Sequence, residues 1–559
     1  MGSWPAAAVL VLLCLVIPSV SAGFLITEIC PDGYAKGDGD EYFVLSGTGG
    51  LDGWVVTDGE GSVRFPAGTS SSDPLIVARE AAAYYETHGA YPDYEVLSTF
   101  DFVPDAVSTG RFQMANTKDD VTLLFLDKPV QSVAWPGDFS SKNGMIHVFS
   151  NGIWDERVMR IGQSSVLPRT FVADSVTLFV SPDSSFEVVN GVITDTQSEM
   201  FISMYEFTHP ELAESVADAA FRGVNVTLLV EGGPVGGMSS EEKGVLNYLV
   251  NSGVSVYTIE STDAKPARYR YLHTKYFVSD DFVTIVLSEN FKPTGIPLPG
   301  TRGNRGWGAA VYSADVAKYF GSVFSADLGG YDIYPYVPTS DPFPASWSDE
   351  EIVVHFPART IENVLVTPVI SPDTSHLIPD LIHDSREKIV LQQAYISPYP
   401  NGARNIWLDL VLDAGGRGIV VQVMLDGMYY NTDAESDNDE IVAQINRLSQ
   451  NDAISAEARL MFPGKSITKL HNKGMIVDMK YVLVSSVNWN YNSPNNNRES
   501  GIIIENEDAA RYFSDVFEFD WGGVSGEFQI NAPGGVDLRY AVVVLIIVLL
   551  FVIWRLKRK

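Results

Sequence analysis

Apolar and polar residues alternate along the N-terminal part of the chain. Short alternating runs, separated by Gly- and Asp-rich turns, fill residues 24–66 (FLITEICPDGYAKGDGDEYFVLSGTGGLDGWVVTDGEGSVRFP) and return at 121–137 (VTLLFLDKPVQSVAWPG). Alternation places every second side chain on one face of a strand. The pattern therefore predicts a small all-β domain over residues 23–140.

Further along, apolar runs of strand length alternate with longer segments of helical period. Two such stretches, 165–328 and 347–522, are joined by a Pro-rich segment over 331–347. Alternating strands and helices predict the α/β fold class, with helices on both faces of a sheet. We expect two α/β sandwich repeats packed about a pseudo-twofold axis.

Both ends of the chain are apolar. Residues 6–20 lead into small residues at 20–22, which predicts a signal peptide over 1–22. At the other end the apolar run 540–554 precedes the basic sequence RLKRK. This predicts a linker over 523–537, one transmembrane helix over 538–556 and a cytoplasmic basic tail over 557–559. We expect a single-pass cell-membrane protein whose other domains are extracytoplasmic.

One short pattern occurs twice in the α/β region. His-x-Lys-x4-Asp is followed eight residues later by Ser-x-Asn, and the second copy lies 198 residues after the first at every position. The copies are His273, Lys275, Asp280, Ser288 and Asn290, and His471, Lys473, Asp478, Ser486 and Asn488. A lone histidine on a strand is more often structural, but repetition at fixed spacing indicates a duplicated half-site. We therefore take His273 and His471 as catalytic.

These residue types suit a phosphate group. Residues two apart on a strand share a face, so each copy presents an imidazole, an ammonium, an amide and a hydroxyl together. Phosphodiester cleavage needs a nucleophile, an acid for the leaving alkoxide and donors for the developing charge. The two imidazoles can divide the first two roles, and the lysines and asparagines can supply the donors. This scheme requires no metal or other cofactor.

The motifs resemble those of a known family. HTKYFVSD with SEN, and HNKGMIVD with SVNW, are similar to the two signature motifs of the phospholipase D superfamily. The resemblance extends upstream through 204–230 and 393–426, and downstream to NRGWG at 304–308 and NRESG at 497–501. It covers about residues 165–525 and is specific for the superfamily rather than for a substrate.

The resemblance implies a phosphohistidine intermediate, with His273 as the nucleophile and His471 as the general acid. Glu499 matches a position where the family often has a carboxylate that orients histidine, whereas the first copy has Gly306 there. We therefore expect one imidazole to lack an obvious partner. The motif aspartates, Asp280 and Asp478, are expected to be mainly architectural or orienting.

The N-terminal segment resembles the start of a lamin-tail domain, a small immunoglobulin-like β-sandwich. Glu41-Tyr42, Gly53-Trp54 and Asp58 fall in the order that the resemblance requires. Such a domain implies binding to a surface partner that the sequence does not identify.

Charge narrows the class of substrate. The net charge is −32, and so acidic a surface repels nucleic acid at low salt. Basic residues nevertheless cluster beside both motifs, with Arg302 and Arg305 adding to the first cluster. This pattern predicts an electropositive mouth for an anionic substrate, or else ordinary solvated loop charges.

The favoured hypothesis is a membrane-anchored phosphodiesterase or phosphatidyltransferase that acts on phospholipid, because the anchor would hold the site near headgroups. The first alternative is an extracytoplasmic nuclease, since superfamily members cut nucleic acid and lamin-tail domains often accompany nucleases. The second is a surface-binding protein with a vestigial site, which the glycine at position 306 favours.

Overall fold

The computed structural model describes residues 23–526, apart from 72–73, 136–143, 151–152, 155–158, 263–264, 347–351, 434–436 and 452. It divides into two units. The first contains the residues up to 163 together with 261–268 and 330–332, and the second contains 164–260, 269–329 and the residues from 333 onward.

The first unit is built from two antiparallel-rich sheets. Its elements are β1 (Leu25–Cys30), β2 (Tyr42–Ser46), β3 (Gly49–Gly50), β4 (Trp54–Thr57), β5 (Gly61–Arg64), β6 (Ser70–Ser71), β7 (Leu75–Glu80), α1 (Ala81–His88), β8 (Tyr94–Leu97), β9 (Val107–Gly110), β10 (Asp119–Phe125), β11 (Lys128–Trp135), β12 (Met145–Ser150), β13 (Ile153–Trp154) and β14 (Met159–Arg160). One sheet has the order β13-β12-β1-β2-β7-β8, with β14 on β12, and the other has the order β11-β10-β4-β5-β9. β3 and β6 form a separate pair.

Buried side chains from both sheets form one core, which includes Phe43, Trp54, Val121 and Trp135. The expectation of an all-β domain is wrong in one respect, because α1 follows β7. Its Ala-Ala-Ala start favours helix, and the crossover makes β7 and β8 parallel. The lamin-tail resemblance stays a prediction.

The second unit contains one continuous sheet and most of the helices. Its strands are β15 (Phe171–Ser181), β16 (Glu199–Met204), β17 (Asn225–Glu231), β18 (Ser255–Ile259), β19 (Lys275–Ser279), β20 (Val283–Leu287), β21 (Gly303–Tyr312), β22 (Ile333–Pro335), β23 (Arg359–Ser371), β24 (Lys388–Gln393), β25 (Val420–Asp426), β26 (Ala456–Met461), β27 (Ile467–Leu470), β28 (Lys473–Val477), β29 (Tyr481–Ser485) and β30 (Glu499–Glu505). Its helices are α2 (Ser185–Asp195), α3 (Pro210–Phe221), α4 (Ser240–Asn251), α5 (Ala314–Leu328), α6 (Leu377–His383), α7 (Ile406–Gly416), α8 (Asn438–Gln450), α9 (Asn492–Asn495) and α10 (Glu507–Gly526). Short 3-10 turns lie at Pro400–Gly402 and Tyr429–Asn431.

The strand order reads as two similar halves joined at their centre. It is β22-β18-β17-β16-β19-β20-β21-β15, then β23-β30-β29-β28-β24-β25-β26, with β27 on β21. β15 and β23 pair antiparallel at the join, and the flanking strands follow in matching order, as the predicted pseudo-twofold requires. We call the half before the join repeat 1 and the half after it repeat 2.

Local sequence explains where the helices begin. The hydroxyls of Ser239 and Ser313 cap α4 and α5 by accepting the backbone N–H of Glu242 and Val316. Pro210 occupies the first turn of α3, where a missing N–H costs nothing. Each repeat has its own apolar core between helices and sheet.

Two buried arginines tie the repeats together. Arg305 of repeat 1 donates to Asp520 of repeat 2 at 2.9 Å and to Asp183 at 2.8 Å. Arg498 of repeat 2 donates to Asp327 of repeat 1, at 2.6 Å, and to Asp373 at 2.9 Å. Each guanidinium thus binds one carboxylate of its own repeat and one of the other. We call these two clusters the arginine clamps.

Some sequence predictions concern residues outside the described ranges. The predicted signal peptide, the transmembrane segment 538–556, the basic tail and residues 527–537 of the predicted linker all lie there. α10 continues four residues past 522, where the repeat was expected to end. No helix within the described part of the chain is long and apolar enough to cross a membrane.

Candidate active site

Both histidines lie immediately before a central strand of the sheet. His273 precedes β19 and His471 precedes β28, and each following lysine turns its ammonium back onto the histidine carbonyl. The distances are 2.9 Å from Lys275 Nζ to the His273 oxygen and 2.6 Å from Lys473 Nζ to the His471 oxygen. These contacts fix the same local turn in both repeats.

A buried carboxylate holds the residue before each histidine. Glu231, at the end of β17, accepts the Leu272 N–H at 2.6 Å. Asp426, at the end of β25, accepts the Leu470 N–H at 2.9 Å. The carboxyl ends of the parallel strands therefore position both motifs, which is where open α/β sheets place their sites.

The two motifs meet across the pseudo-twofold. The His273 N–H donates to the Arg498 carbonyl at 2.8 Å, and the His471 N–H donates to the Arg305 carbonyl at 3.0 Å. The Lys275 N–H donates to Ser500 Oγ at 3.0 Å. The backbone of each repeat therefore accepts a hydrogen bond from the histidine of the other repeat. The two half-sites form one cluster.

Glu499 holds the imidazole of His273. His273 Nδ1 lies 2.7 Å from Glu499 Oε2, and Ser486 Oγ donates to the same oxygen at 2.6 Å. Ser493 Oγ and Asn497 Nδ2 donate to Oε1. An Nδ1–H that donates to the carboxylate leaves the Nε2 lone pair of His273 available for attack.

His471 also has a carboxylate partner, contrary to the expectation drawn from Gly306. His471 Nδ1 lies 3.2 Å from Glu289 Oε2, and Asn304 Nδ2 donates to that oxygen at 2.9 Å. Glu289 stands between Ser288 and Asn290 of the first motif, where the second motif has Val487. A charged residue at this position was the sequence signal that could have found it.

Burial changes the protonation of these groups. Burial lowers the pKa of His273, although Glu499 opposes the shift. Burial, reinforced by Lys473 and Lys469, places the pKa of His471 well below its usual value. Both imidazoles therefore favour the neutral form before an anion binds.

The two carboxylates are shifted in opposite directions. Burial raises the pKa of Glu289 against the opposing charge of Lys473. Burial would likewise raise the pKa of Glu499, but His273 and Lys275 outweigh it and hold the value below normal. The shorter of the two contacts, His273–Glu499, is therefore made to the carboxylate that is the more readily ionised.

Lys275 and Lys473 are buried near both carboxylates and other lysines. Burial lowers the pKa of Lys275 to about 8 and that of Lys473 well below its usual range, and Lys275 adds repulsion to the second shift. An anion between the two ammonium groups would relieve that repulsion and favour their charged forms.

The mouth of the site differs between the repeats. On the repeat 1 side, Glu206 accepts from Asn290 Nδ2 at 3.0 Å and from Lys292 Nζ at 2.9 Å. In repeat 2 the residue two after the motif asparagine, Asn490, donates instead to the Tyr395 hydroxyl at 2.8 Å. The side-chain oxygens of Asn290 and Asn488 are alike in both repeats, because each is buried without a hydrogen-bond partner among the described residues.

The motif serines bond to protein rather than facing open space. Ser288 Oγ accepts the Trp307 N–H at 3.0 Å, and Ser486 Oγ accepts the Ser500 N–H at 2.9 Å while donating to Glu499. Within the described residues, these hydroxyls bond to strand backbone and to Glu499, and neither forms a hydrogen bond to a histidine.

The motif aspartates lie at the far end of their strands. Asp280 accepts the N–H groups of residues 197–199 and the Ser198 hydroxyl. Asp478 accepts those of 386–388. Each has a positive φ, 51° and 53° respectively, in a tight turn. Neither residue contacts the histidine cluster, so this placement is architectural.

The predicted electropositive mouth is wrong for Arg305, which is 2% exposed inside its clamp. Lys469 is only partly buried and lies close enough to lower the pKa of His471. No group of three or more His, Cys, Asp or Glu within the described residues has a metal-binding arrangement.

Fold and site together define a duplicated α/β protein in which two His-x-Lys motifs share one centre, the arrangement of the phospholipase D superfamily. Residues 190–328 and 378–521, about half of the chain, match the family model described as "Cardiolipin synthase, PLD-like domain". The chain belongs to this family of phospholipase D-like phosphodiesterases and phosphatidyltransferases.

Individual relatives are more distant. The chain is 40% identical over 52 residues to mitochondrial cardiolipin hydrolase of Canis lupus familiaris, which is 9% of this chain and 20% of that protein. The chain thus spans about a fifth of the length of this curated relative.

Two solved structures are also similar. Phosphatidylserine synthase from Haemophilus influenzae is 14% identical with a TM-score of 0.45, covering 61% of this chain and 84% of that one. Nuc, a phospholipase D family member from Salmonella typhimurium, is 19% identical with a TM-score of 0.25, covering 30% and 99%.

Proposed function

We propose that this protein is a membrane-anchored phosphodiesterase or phosphatidyltransferase that acts on phospholipids through a phosphohistidine intermediate. One observation carries the proposal: two imidazoles converge on one centre, each bonded through Nδ1 to a carboxylate of the other repeat. Both Nε2 atoms are thereby prepared for chemistry on a substrate bound between them.

In the first step His273 Nε2 attacks phosphorus and forms the N–P bond. The bond from phosphorus to the leaving alcohol breaks, and His471 gives its Nε2 proton to the departing alkoxide. The anionic substrate favours a protonated His471. Its negative charge offsets the lysine charges that, together with burial, lower the pKa of His471 in the free protein. Glu499 stabilises the positive charge that develops on His273.

In the second step water or an alcohol attacks the phosphohistidine. His471, now neutral, accepts the proton of the incoming hydroxyl, and the N–P bond breaks to regenerate His273. Water yields a phosphatidic acid, and an alcohol yields a new phosphodiester. Lys275 and Lys473 bind the equatorial oxygens in both steps.

Phospholipid is favoured over nucleic acid for two reasons. The predicted helix over 538–556 would hold the site at an extracytoplasmic membrane surface, and a net charge of −32 opposes nucleic-acid binding. The N-terminal unit would then bind a surface partner. A vestigial site is disfavoured because Glu289 supplies the carboxylate that position 306 lacks.

The test uses full-length protein in detergent, with chelator present. It is incubated with vesicles of phosphatidylcholine, phosphatidylethanolamine and phosphatidylglycerol, and separately with single- and double-stranded DNA. The inactive control is His273→Ala/His471→Ala, and the matched control is His383→Ala, whose side chain is 75% exposed.

We expect headgroup release, or a transfer product when an alcohol is added, in the wild type and in His383→Ala but not in the double variant. Cleavage of DNA alone would replace the lipid proposal with the nuclease. Inactivity of the folded wild type on every substrate would favour the vestigial binding protein.

A further inference from the structure

The two repeats place their orienting carboxylates at different points of the fold. In repeat 2 the carboxylate is Glu499, which directly follows the clamp residue Arg498 and pairs with Ser371 at the end of β23. In repeat 1 the corresponding position is Gly306, which directly follows Arg305 and pairs with Ser181 at the end of β15. The carboxylate of repeat 1 is instead Glu289, on the segment after β20.

Gly306 leaves the space that Glu289 fills. A Cβ built on Gly306 would lie 2.5 Å from Glu289 Cγ and 2.8 Å from Ser288 Oγ, distances that real Cβ atoms do not show. A second glycine also borders this space, since a Cβ on Gly295 would lie 3.0 Å from Glu289 Oε2. No side chain at position 306 fits while Glu289 holds its place.

Repeat 2 has the opposite arrangement of the two residues. The counterpart of Glu289 is Val487, which is fully buried in the apolar core of that repeat. The pair of positions therefore reads Glu289 with Gly306 in one repeat and Val487 with Glu499 in the other. In both repeats one carboxylate oxygen reaches Nδ1 of the opposite histidine.

The surroundings of Glu289 argue against a role in stability. The side chain is 3% exposed, and its Oε1 has no hydrogen-bond partner among the described residues. A buried carboxylate oxygen without a donor costs free energy. Glu499, in contrast, has donors on both oxygens.

We infer that Glu289 is the positioning residue of His471 and that Gly306 is required to leave room for its side chain. The orienting carboxylate can therefore stand at position 289 or at position 306, but not at both. The inference rests on the proposed function for its catalytic consequence. Glu289 holds the imidazole with Nδ1–H toward the carboxylate, so that Nε2 carries the proton exchanged with the leaving or entering alcohol.

The test moves the carboxylate to the position it has in repeat 2. Glu289→Val removes it, Glu289→Val/Gly306→Glu restores it on the neighbouring strand, and Gly306→Glu alone crowds two carboxylates into one space. Glu289→Gln keeps the size of the side chain and removes its charge. Turnover, its pH profile and the melting temperature are measured for each full-length variant.

We expect Glu289→Val to lower kcat by about 10- to 100-fold with little change in KM, the range seen for carboxylates that orient metal-bound histidines. The double variant should recover most of that loss. Gly306→Glu alone should lower the melting temperature, whereas the same change should be tolerated beside Glu289→Val. Glu289→Gln should lower kcat without lowering the melting temperature.

Imidazole NMR of ¹⁵N-histidine protein, assigned with His471→Ala, reads the tautomer without any substrate. We expect His471 to lose its fixed Nδ1–H tautomer in Glu289→Val and to regain it in the double variant. If the tautomer responds in this way but no substrate is turned over, the proposed function fails and the contact stands. An unchanged tautomer and unchanged kcat in Glu289→Val would overturn the inference. A Glu289→Gln variant that loses stability at wild-type kcat would also overturn it, even if the double variant does not fold.

Discussion

Repeat 1 and repeat 2 build the same contact from different residues. The His273–Glu499 contact is 2.7 Å and uses a residue at the start of β30, while the His471–Glu289 contact is 3.2 Å and uses a residue beyond the end of β20. Four donors surround Glu499, His273 among them, whereas Glu289 has one buried oxygen without a hydrogen-bond partner among the described residues. The duplicated feature is therefore an oxygen at a given place beside Nδ1, not a residue at a given position in the chain.

This difference suggests a division of roles. A short bond to an ionised Glu499 makes His273 the more basic and better-oriented imidazole, as a nucleophile requires. His471 has the longer bond and a partner carboxylate of raised pKa, and burial together with three lysines lowers the pKa of His471 itself. It releases a proton more readily, as a general acid requires.

The largest expected effect comes from replacing the two histidines, which tests directly whether the repeats have different roles. His273→Ala and His471→Ala should each lower phospholipid turnover by about 10³-fold or more. The roles separate with a p-nitrophenyl phosphodiester, because p-nitrophenolate leaves without a proton. On that substrate His471→Ala should recover much of its first-step rate, measured as the burst of p-nitrophenolate, while His273→Ala stays inactive. Recovery in the His273 variant instead would reverse the assignment.

The two arginine clamps should contribute equally to stability, in contrast to Glu289 and Glu499, which differ between the repeats. Arg305→Met and Arg498→Met each leave buried aspartates without their partner, and we expect a loss of about 3–5 kcal/mol of unfolding free energy from either. Urea unfolding followed by fluorescence measures the loss. The matched control is Arg404→Met, which removes an exposed ion pair with Asp409 and should change stability by less than about 1 kcal/mol. Stability like that of the control would show that the clamps do not bind the repeats together.

The pH dependence of turnover should show which of the two motif lysines loses its charge. Lys275, with its pKa lowered to about 8, carries its charge below that pH and loses it above. The value of log kcat/KM, which reports the free protein, should therefore fall with a slope near −1 as pH rises through about 8. Lys275→Arg should remove this limb because a guanidinium stays charged. If Lys473→Arg removes the limb and Lys275→Arg leaves it, the titrating group belongs to repeat 2.

The sequence predicted the convergence of the site but not all of its members. Two motif copies at a fixed offset require a shared centre, so the placement of His273 and His471 could be anticipated. Glu289 was missed because regular alternation would point it away from Ser288 and Asn290. β20 ends at Leu287, so the chain no longer alternates regularly beyond it, and the side chain of Glu289 turns toward Gly306.

Long-range partners explain why the position of Arg305 was also misread. Arg305 looked like a surface charge because its two partners lie 122 and 215 residues away in the chain. Only the pseudo-twofold packing brings Asp183 and Asp520 to it, and no local pattern reports that packing. A buried arginine is indistinguishable in sequence from an exposed one until its carboxylates are placed.

The smallest expected effect concerns the motif aspartates, where the repeats differ only in the number of donors. Asp280 accepts four hydrogen bonds and Asp478 accepts three. Substitution by asparagine retains a residue that tolerates positive φ and removes only the charge. We expect Asp280→Asn and Asp478→Asn to cost about 1–2 kcal/mol each, with the larger loss at Asp280. Turnover measured well below the melting temperature should stay within about twofold of wild type, because neither carboxylate contacts the histidines. A fall in kcat of more than tenfold at unchanged stability would give these residues a part in the chemistry, and a fall in only one variant would show in which repeat it lies.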